Sequence, residues 1–185
     1  RARLHCAHHA DCWSAQMSEA IHLLPGAVDG AIAALRSLLG EDRVVTDRAE
    51  LEFHSQDVYR AGLLPAAIIH PQDTDELSRA LRLIATARLP IIPRGGGMSY
   101  SDGYLPSRPD SIMVDLLAMS RVQVIDAEDC FVTVECGATW KDLFDALAPH
   151  GVRTPYYGPL SGLRWRDFPF GRNDSPVVTL NCKRQ

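Results

Sequence analysis

Apolar residues recur at helical spacing from Asp29 onward: Ile32, Leu35, Leu38 and Leu39 share a face, Asp29 can cap the start, and Gly40 is placed to end the helix. Val44-Val45 reads as a short extended piece, and Asp47 to Phe53 as a second helix capped by Thr46. His54 to Leu64 carries no period and reads as a loop. Ala66 to His70, apolar and bounded by Pro65 and Pro71, suits a strand buried on both faces. Asp73 and Glu76 form a capping-box pattern, and Leu77, Leu81, Ile84 and Leu89 follow on one helical face. With a strand at Ile91-Ile92 this makes a strand-helix-strand unit.

Farther on, Ser111 to Asp115 predicts a strand, and Val122 to Ile125 and Phe131 to Cys136 predict two more joined by the turn Asp126-Ala127-Glu128-Asp129. Along the last of these, Val132 and Val134 face one way and Thr133 and Glu135 the other. Thr139 and Asp142 start a helix carrying Leu143, Phe144 and Leu147 that ends before Gly151. Trp140 is assigned to packing, since large aromatic side chains chiefly fill cores.

Composition narrows the class. The 185 residues, 46% of them hydrophobic, allow one full domain and part of a second. A formal net charge of -4 with no basic block argues against a nucleic-acid partner. No apolar run has the length of a membrane span and the N-terminus lacks signal-peptide order, so no membrane partner and a cytoplasmic location are expected. Cys6, Cys12, Cys130, Cys136 and Cys182 are irregularly spaced and read as reduced thiols. Cys6, His8, His9 and Cys12, beside His5, have a zinc-like composition, but no second ligand pair follows at a zinc spacing, and no metal is expected. Residues 1–28 read as an extension without ordered structure; Arg1 to Gln16 look extraneous, with the native start expected at Met17.

Candidate chemistry concentrates at Pro90-Ile91-Ile92-Pro93-Arg94-Gly95-Gly96-Gly97-Met98-Ser99-Tyr100-Ser101. An apolar strand runs into three glycines, whose bare backbone can turn N-H groups toward a ligand. Arg94 adds a positive charge, and Ser99, Tyr100 and Ser101 add hydroxyl donors, so a phosphate or pyrophosphate is the natural guest. A glycine-rich surface turn is the plain alternative. The run lacks the Gly-Lys-Ser/Thr of ATPase and GTPase phosphate loops, and its adjacent glycines do not match the dinucleotide fingerprint.

Six segments in order, Pro65 to Pro71, Asp75-Glu76-Leu77, Pro90 to Gly97, Met113 to Leu116, Val132 to Gly137 and Trp140 to Leu143, resemble the FAD-binding domain of the vanillyl-alcohol oxidase and p-cresol methylhydroxylase type, the FAD-linked oxidase family. The likeness runs from about Asp29 to Leu163. It implies an α+β fold of two lobes clasping FAD, the first spanning 29–120 and the second, 121–163, incomplete. It also implies that Arg94, Gly95, Gly96, Gly97, Met98, Ser99 and Tyr100 wrap the FAD pyrophosphate. Some members bind FAD covalently through a histidine in this loop; here Met98 follows Gly97, which implies dissociable FAD.

Gly158-Pro159-Leu160-Ser161-Gly162 resembles the start of the family's second flavin-binding stretch, adding Leu160 and Ser161 to the expected cofactor site. The family continuation, with its double glycine, is replaced after Leu163 by Arg164-Trp165-Arg166-Asp167 and a segment to Gln185. Arg166, Arg172 and Asp174 can be read as an active-site group; a solvated tail over 164–185 is the preferred reading. A one-base shift at the Trp165 codon, TGG, restores a glycine codon when Arg166 begins with C, so a frameshift near Arg164 is the expectation that sequencing the locus checks.

The resemblance implies oxidation of a small, hydroxyl-bearing substrate by hydride transfer to noncovalent FAD, which carries the chemistry while the protein positions it. A truncated, non-catalytic flavin- or nucleotide-binding module is the alternative. A hydrolase ranks third, since His54, His70 and His150 have no evident nucleophile partner and read as structural. The residues assign no catalytic base and no oligomeric state.

Overall fold

A computed structural model describes residues 26–57, 59–95, 102–154 and 177–184. Its elements are α1 (Ala27–Leu39), β1 (Val44–Val45), α2 (Arg48–His54), β2 (Ala67–Ile69), α3 (Thr74–Thr86), β3 (Ile91–Arg94), β4 (Ile112–Asp115), β5 (Val122–Asp126), β6 (Phe131–Glu135), α4 (Trp140–Leu147), β7 (Val152–Arg153), β8 (Val177–Asn181) and β9 (Lys183–Arg184). The fold is α+β.

In the first lobe the strands run in the order β1-β2-β4-β3, with β4 parallel to both β2 and β3 and β1 antiparallel to β2. The expected strand-helix-strand unit is present, but β4 is inserted between its two strands. β3 is therefore an edge strand, a place where Pro93 leaves no interior ladder bond unmade. Alternation along the strands divides the core. Ala67, Ile69, Ile112 and Val114 pack with Leu35, Leu39, Leu77, Ala80 and Ile84 of α1 and α3, whereas Ile68 and Met113 pack with Leu51 of α2.

Helix ends follow local chemistry with three differences from expectation. α1 starts at Ala27 behind Gly26, without a side-chain cap, so Asp29 lies in the first turn; Gly40, at φ 98°, ends it as expected. The cap of α2 is Asp47 rather than Thr46: its carboxylate accepts from Ala49 N (3.0 Å) and Glu50 N (3.2 Å). Asp73 caps α3 through Glu76 N (2.8 Å), but the Glu76 carboxylate turns to Gln72 N (3.0 Å) and to Arg43, whose Nη1 and Nη2 donate at 2.5 and 3.0 Å. The box is thus given up for a forked ion pair that ties α3 to the turn before β1.

The second lobe is an antiparallel sheet, β5-β6-β8, covered by α4, with Trp140, Leu143 and Leu147 packed on Val132, Val134 and Val152. The assignment of Trp140 to packing holds, and Thr139 and Asp142 form a complete capping box. The reading of 164–185 as a solvated tail is corrected at its far end. Val177–Asn181 pairs along all of β6, Lys183–Arg184 pairs with β7, and Cys182 is buried. An antiparallel partner is chosen by backbone pairing and sheet edge, which charge content along the chain does not reveal.

Candidate functional site

Because β2, β3 and β4 are parallel, their C-terminal ends meet at one edge, the place where open α/β sheets bind ligands. Arg94 pairs with Asp115 in the ladder, and His70 follows Ile69, the partner of Val114. Alternation then turns all three polar residues toward the α2 face, where His54 closes the helix.

The result is a buried charged cluster. Asp115 is 1% exposed and Arg94 6%. Asp115 Oδ2 lies 3.5 Å from Arg94 Nη1 and 3.6 Å from His54 Nε2, and its Oδ1 accepts from Leu117 N at 2.8 Å. His54 Nδ1 lies 2.9 Å from the Glu50 backbone oxygen, and the rings of His54 and His70 stand 6.3 Å apart, edge to face. Burial holds the His70 pKa below its ordinary value; Asp115 and Glu50 pull it up, while His54 and Arg94 push it down. Arg94 Nη1 also approaches Gly95 O at 3.4 Å, and its buried Nε has no hydrogen-bond partner among the described residues.

Arg94 also meets a residue beyond the glycine run in the chain. Its guanidinium carbon stands 5.5 Å from the ring centre of Tyr104, ten positions on in the sequence. The Tyr104 hydroxyl donates to Gln56 O at 2.8 Å, and Asp102 N donates to Asp57 Oδ2 at 3.2 Å. Asp57 in turn accepts from Tyr59 N and Arg60 N, each at 2.7 Å, and those bonds, Tyr59's first, hold its carboxyl below the ordinary range. The loop at 55–62 thus anchors the chain where it returns from the glycine run.

The same cluster leads to the junction of the lobes. Leu117, held by Asp115, belongs to the turn Leu116–Met119, against which Gly137 packs with its N-H on Met119 O at 2.6 Å. A Cβ at Gly137 would stand 2.6 Å from the backbone oxygens of Leu116, Leu117 and Met119, so glycine is required by space. Glu135, fully buried, accepts from Arg121 N (2.8 Å), Arg121 Nε (3.0 Å) and Gln123 Nε2 (3.3 Å). Burial opposes its ionisation, and the Arg121 bonds outweigh burial and hold the carboxyl below its usual range.

Of the residues expected to hold a cofactor, Arg94 and Gly95 stand at this edge. Gly96, Gly97, Met98, Ser99, Tyr100, Leu160 and Ser161 lie outside the described residues, as do Cys6, His8, His9, Cys12 and the group Arg166, Arg172 and Asp174. Among the described residues no cluster of His, Cys, Asp and Glu is placed to hold a metal, and no helix is long and apolar enough to cross a membrane. Arg94 differs from the expected entrance charge: its side chain turns inward to Asp115. His54 and His70 join that cluster, whereas His150 sits exposed beyond α4. Asp115 and Tyr104 were not singled out. A usable signal existed, because three apolar strands each end at an ionisable residue, His70, Arg94 and Asp115.

A family model described as FAD binding domain matches residues 65–163, more than half of the chain. The chain is 31% identical over 137 residues to the mitochondrial D-lactate dehydrogenase (cytochrome) 1 of Saccharomyces cerevisiae, covering 69% of this chain and 23% of that protein. It is 30% identical over 129 residues to an uncharacterized FAD-linked oxidoreductase of Escherichia coli K12, covering 65% and 27%. Among solved structures, p-cresol methylhydroxylase with substrate bound superposes with a TM-score of 0.64 at 22% identity, covering 76% of this chain and 28% of that one. Alkyldihydroxyacetonephosphate synthase gives 0.65 at 18% identity, covering 74% and 30%. The chain spans about a quarter of the length of these curated relatives.

Proposed function

The chain belongs to the FAD-binding domain family of p-cresol methylhydroxylase type, with FAD as its cofactor, and on that premise we propose that it is the flavin-binding part of an oxidoreductase acting on a small 2-hydroxy acid. The observation that carries the reading is the family match over 65–163, which spans the glycine run at the end of β3. The substrate class is supported by the names of two relatives, a D-lactate dehydrogenase and a glycolate oxidase subunit of Bacillus subtilis, the latter 33% identical over 92 residues.

The described residues fit the cofactor. Gly95 leaves β3 at the ligand-binding edge of the parallel strands, where bare backbone lets a phosphate approach the chain, while the Arg94 side chain is turned inward to Asp115. In this reading the segment Arg94 to Tyr100 presents backbone N-H groups to the pyrophosphate, and Leu160 and Ser161 flank the flavin. When bound, FAD supplies the acceptor for a hydride from the hydroxyl-bearing carbon. The buried ion pair and the two anchors at Asp57 and Gln56 hold the ends of the loop in place, so less ordering is left to the moment of binding. Met98, in place of the histidine of covalent members, makes the cofactor dissociable.

Purified chain is expected to carry or take up FAD with flavin absorbance, to release it intact on acid precipitation, and to lose that absorbance anaerobically with D-lactate or glycolate. Absence of flavin uptake would overturn the reading. A flavin-binding module without turnover is the second reading. Flavin that binds yet is bleached by no hydroxy acid would select it.

A further inference from the structure

We propose that Arg94 is a positioning residue that clasps the two ends of the cofactor loop, rather than a ligand of the FAD phosphates. The inference deepens the flavin-binding reading and rests on it.

Three observations carry it. First, the guanidinium is directed away from solvent, into a site where Asp115, itself 1% exposed, is its counter-charge at 3.5 Å. A guanidinium so neutralised has little net charge to offer an anion outside, whereas an ion pair taken out of water holds its two strands in one arrangement. Second, the same group faces the Tyr104 ring at 5.5 Å and lies 3.4 Å from Gly95 O, so one side chain meets the first glycine of the run and a residue nine positions further along the chain. Third, Asp115 is itself fixed, by Leu117 N on one oxygen and by His54 Nε2 near the other. The clasp is therefore anchored to β4 and α2 as well as to the first residue of the run, Gly95, whose O lies 3.4 Å from Arg94 Nη1.

On the flavin-binding reading the segment that leaves at Gly95 and returns at Asp102 holds the cofactor, and the clasp fixes the spacing of those two described ends before binding. Arg94 acts on the cofactor through this spacing.

The test measures FAD binding by flavin fluorescence, together with thermal unfolding of the cofactor-free chain, for Asp115→Asn, Arg94→Gln and the double variant. Each single change is expected to weaken FAD binding roughly 10-fold, the scale on which supporting partners act. The double variant should also bind roughly 10-fold more weakly rather than about 100-fold, because both changes undo one device. Each single change strands a buried polar or charged partner and lowers the unfolding temperature; the double variant, with two neutral amides, recovers most of that loss while its FAD affinity stays low. If a single variant does not fold, the double variant still gives the decisive pair of values.

Asp115→Asn binding FAD as tightly as the wild-type chain, or more tightly, would show Arg94 to be a phosphate ligand released from its counter-charge and overturn the proposal. A double variant recovering affinity along with stability would overturn it differently, by making the pair a fold element alone. Wild-type chain that takes up no FAD refutes the flavin-binding reading itself, an outcome visible before any variant is compared.

Discussion

Arg94 and Tyr104 flank the glycine run in the chain with the guanidinium carbon 5.5 Å from the ring centre, so the nine residues between them begin and end at one point. Tyr104 is buried and its hydroxyl donates to Gln56 O. Tyr104→Phe keeps the ring and loses the bond, and is expected to lower stability by about 1 kcal/mol. Tyr104→Ala removes the ring as well and is expected to cost about 3–5 kcal/mol. Guanidinium unfolding midpoints order the two.

Gly137 tests the junction between lobes. Three backbone oxygens at 2.6 Å from a new Cβ cannot step aside as a flexible side chain would. Gly137→Ala is expected to destabilise by about 1–3 kcal/mol or more, through displacement of the Leu116–Met119 turn. A stability equal to wild type in urea titration would refute the close approach.

His70 sets a pH dependence. Its folded-state pKa lies below the ordinary value of about 6.5, first because of burial, so the unfolded chain takes up the proton earlier. Stability from this residue is complete above about pH 6.5 and is lost as pH falls through the folded value. Urea midpoints measured from pH 8 to 5 should decline below pH 6.5, and His70→Gln should flatten that decline.

A second acid limb belongs to the carboxylates. The forked bond from Arg43, then Gln72 N, holds Glu76 below its ordinary range. Its contribution is present above about pH 4.3, the unfolded value, and is lost as pH falls through the lower folded one. With both side chains mostly buried, Glu76→Gln is expected to cost about 1.5 kcal/mol at pH 7 and to shrink the acid limb. Stability curves at pH 7 and pH 3.5 check both.

The local elements were legible because their causes are local. Apolar spacing placed α1, α3 and α4, prolines bounded β2, and Thr139 with Asp142 marked the start of α4 within its own first turn. The ordered segments around the glycine run were also enough to identify the family and its cofactor. Partners distant in the chain were not legible. The insertion of β4 between β2 and β3, and the pairing of β8 with β6, depend on which edges the folded lobes leave open. Arg94 shows the limit best. By itself it reads as a charge waiting for an anion; only folding brings Asp115, His54 and Tyr104 around it, and a buried charge is defined by the partner that meets it.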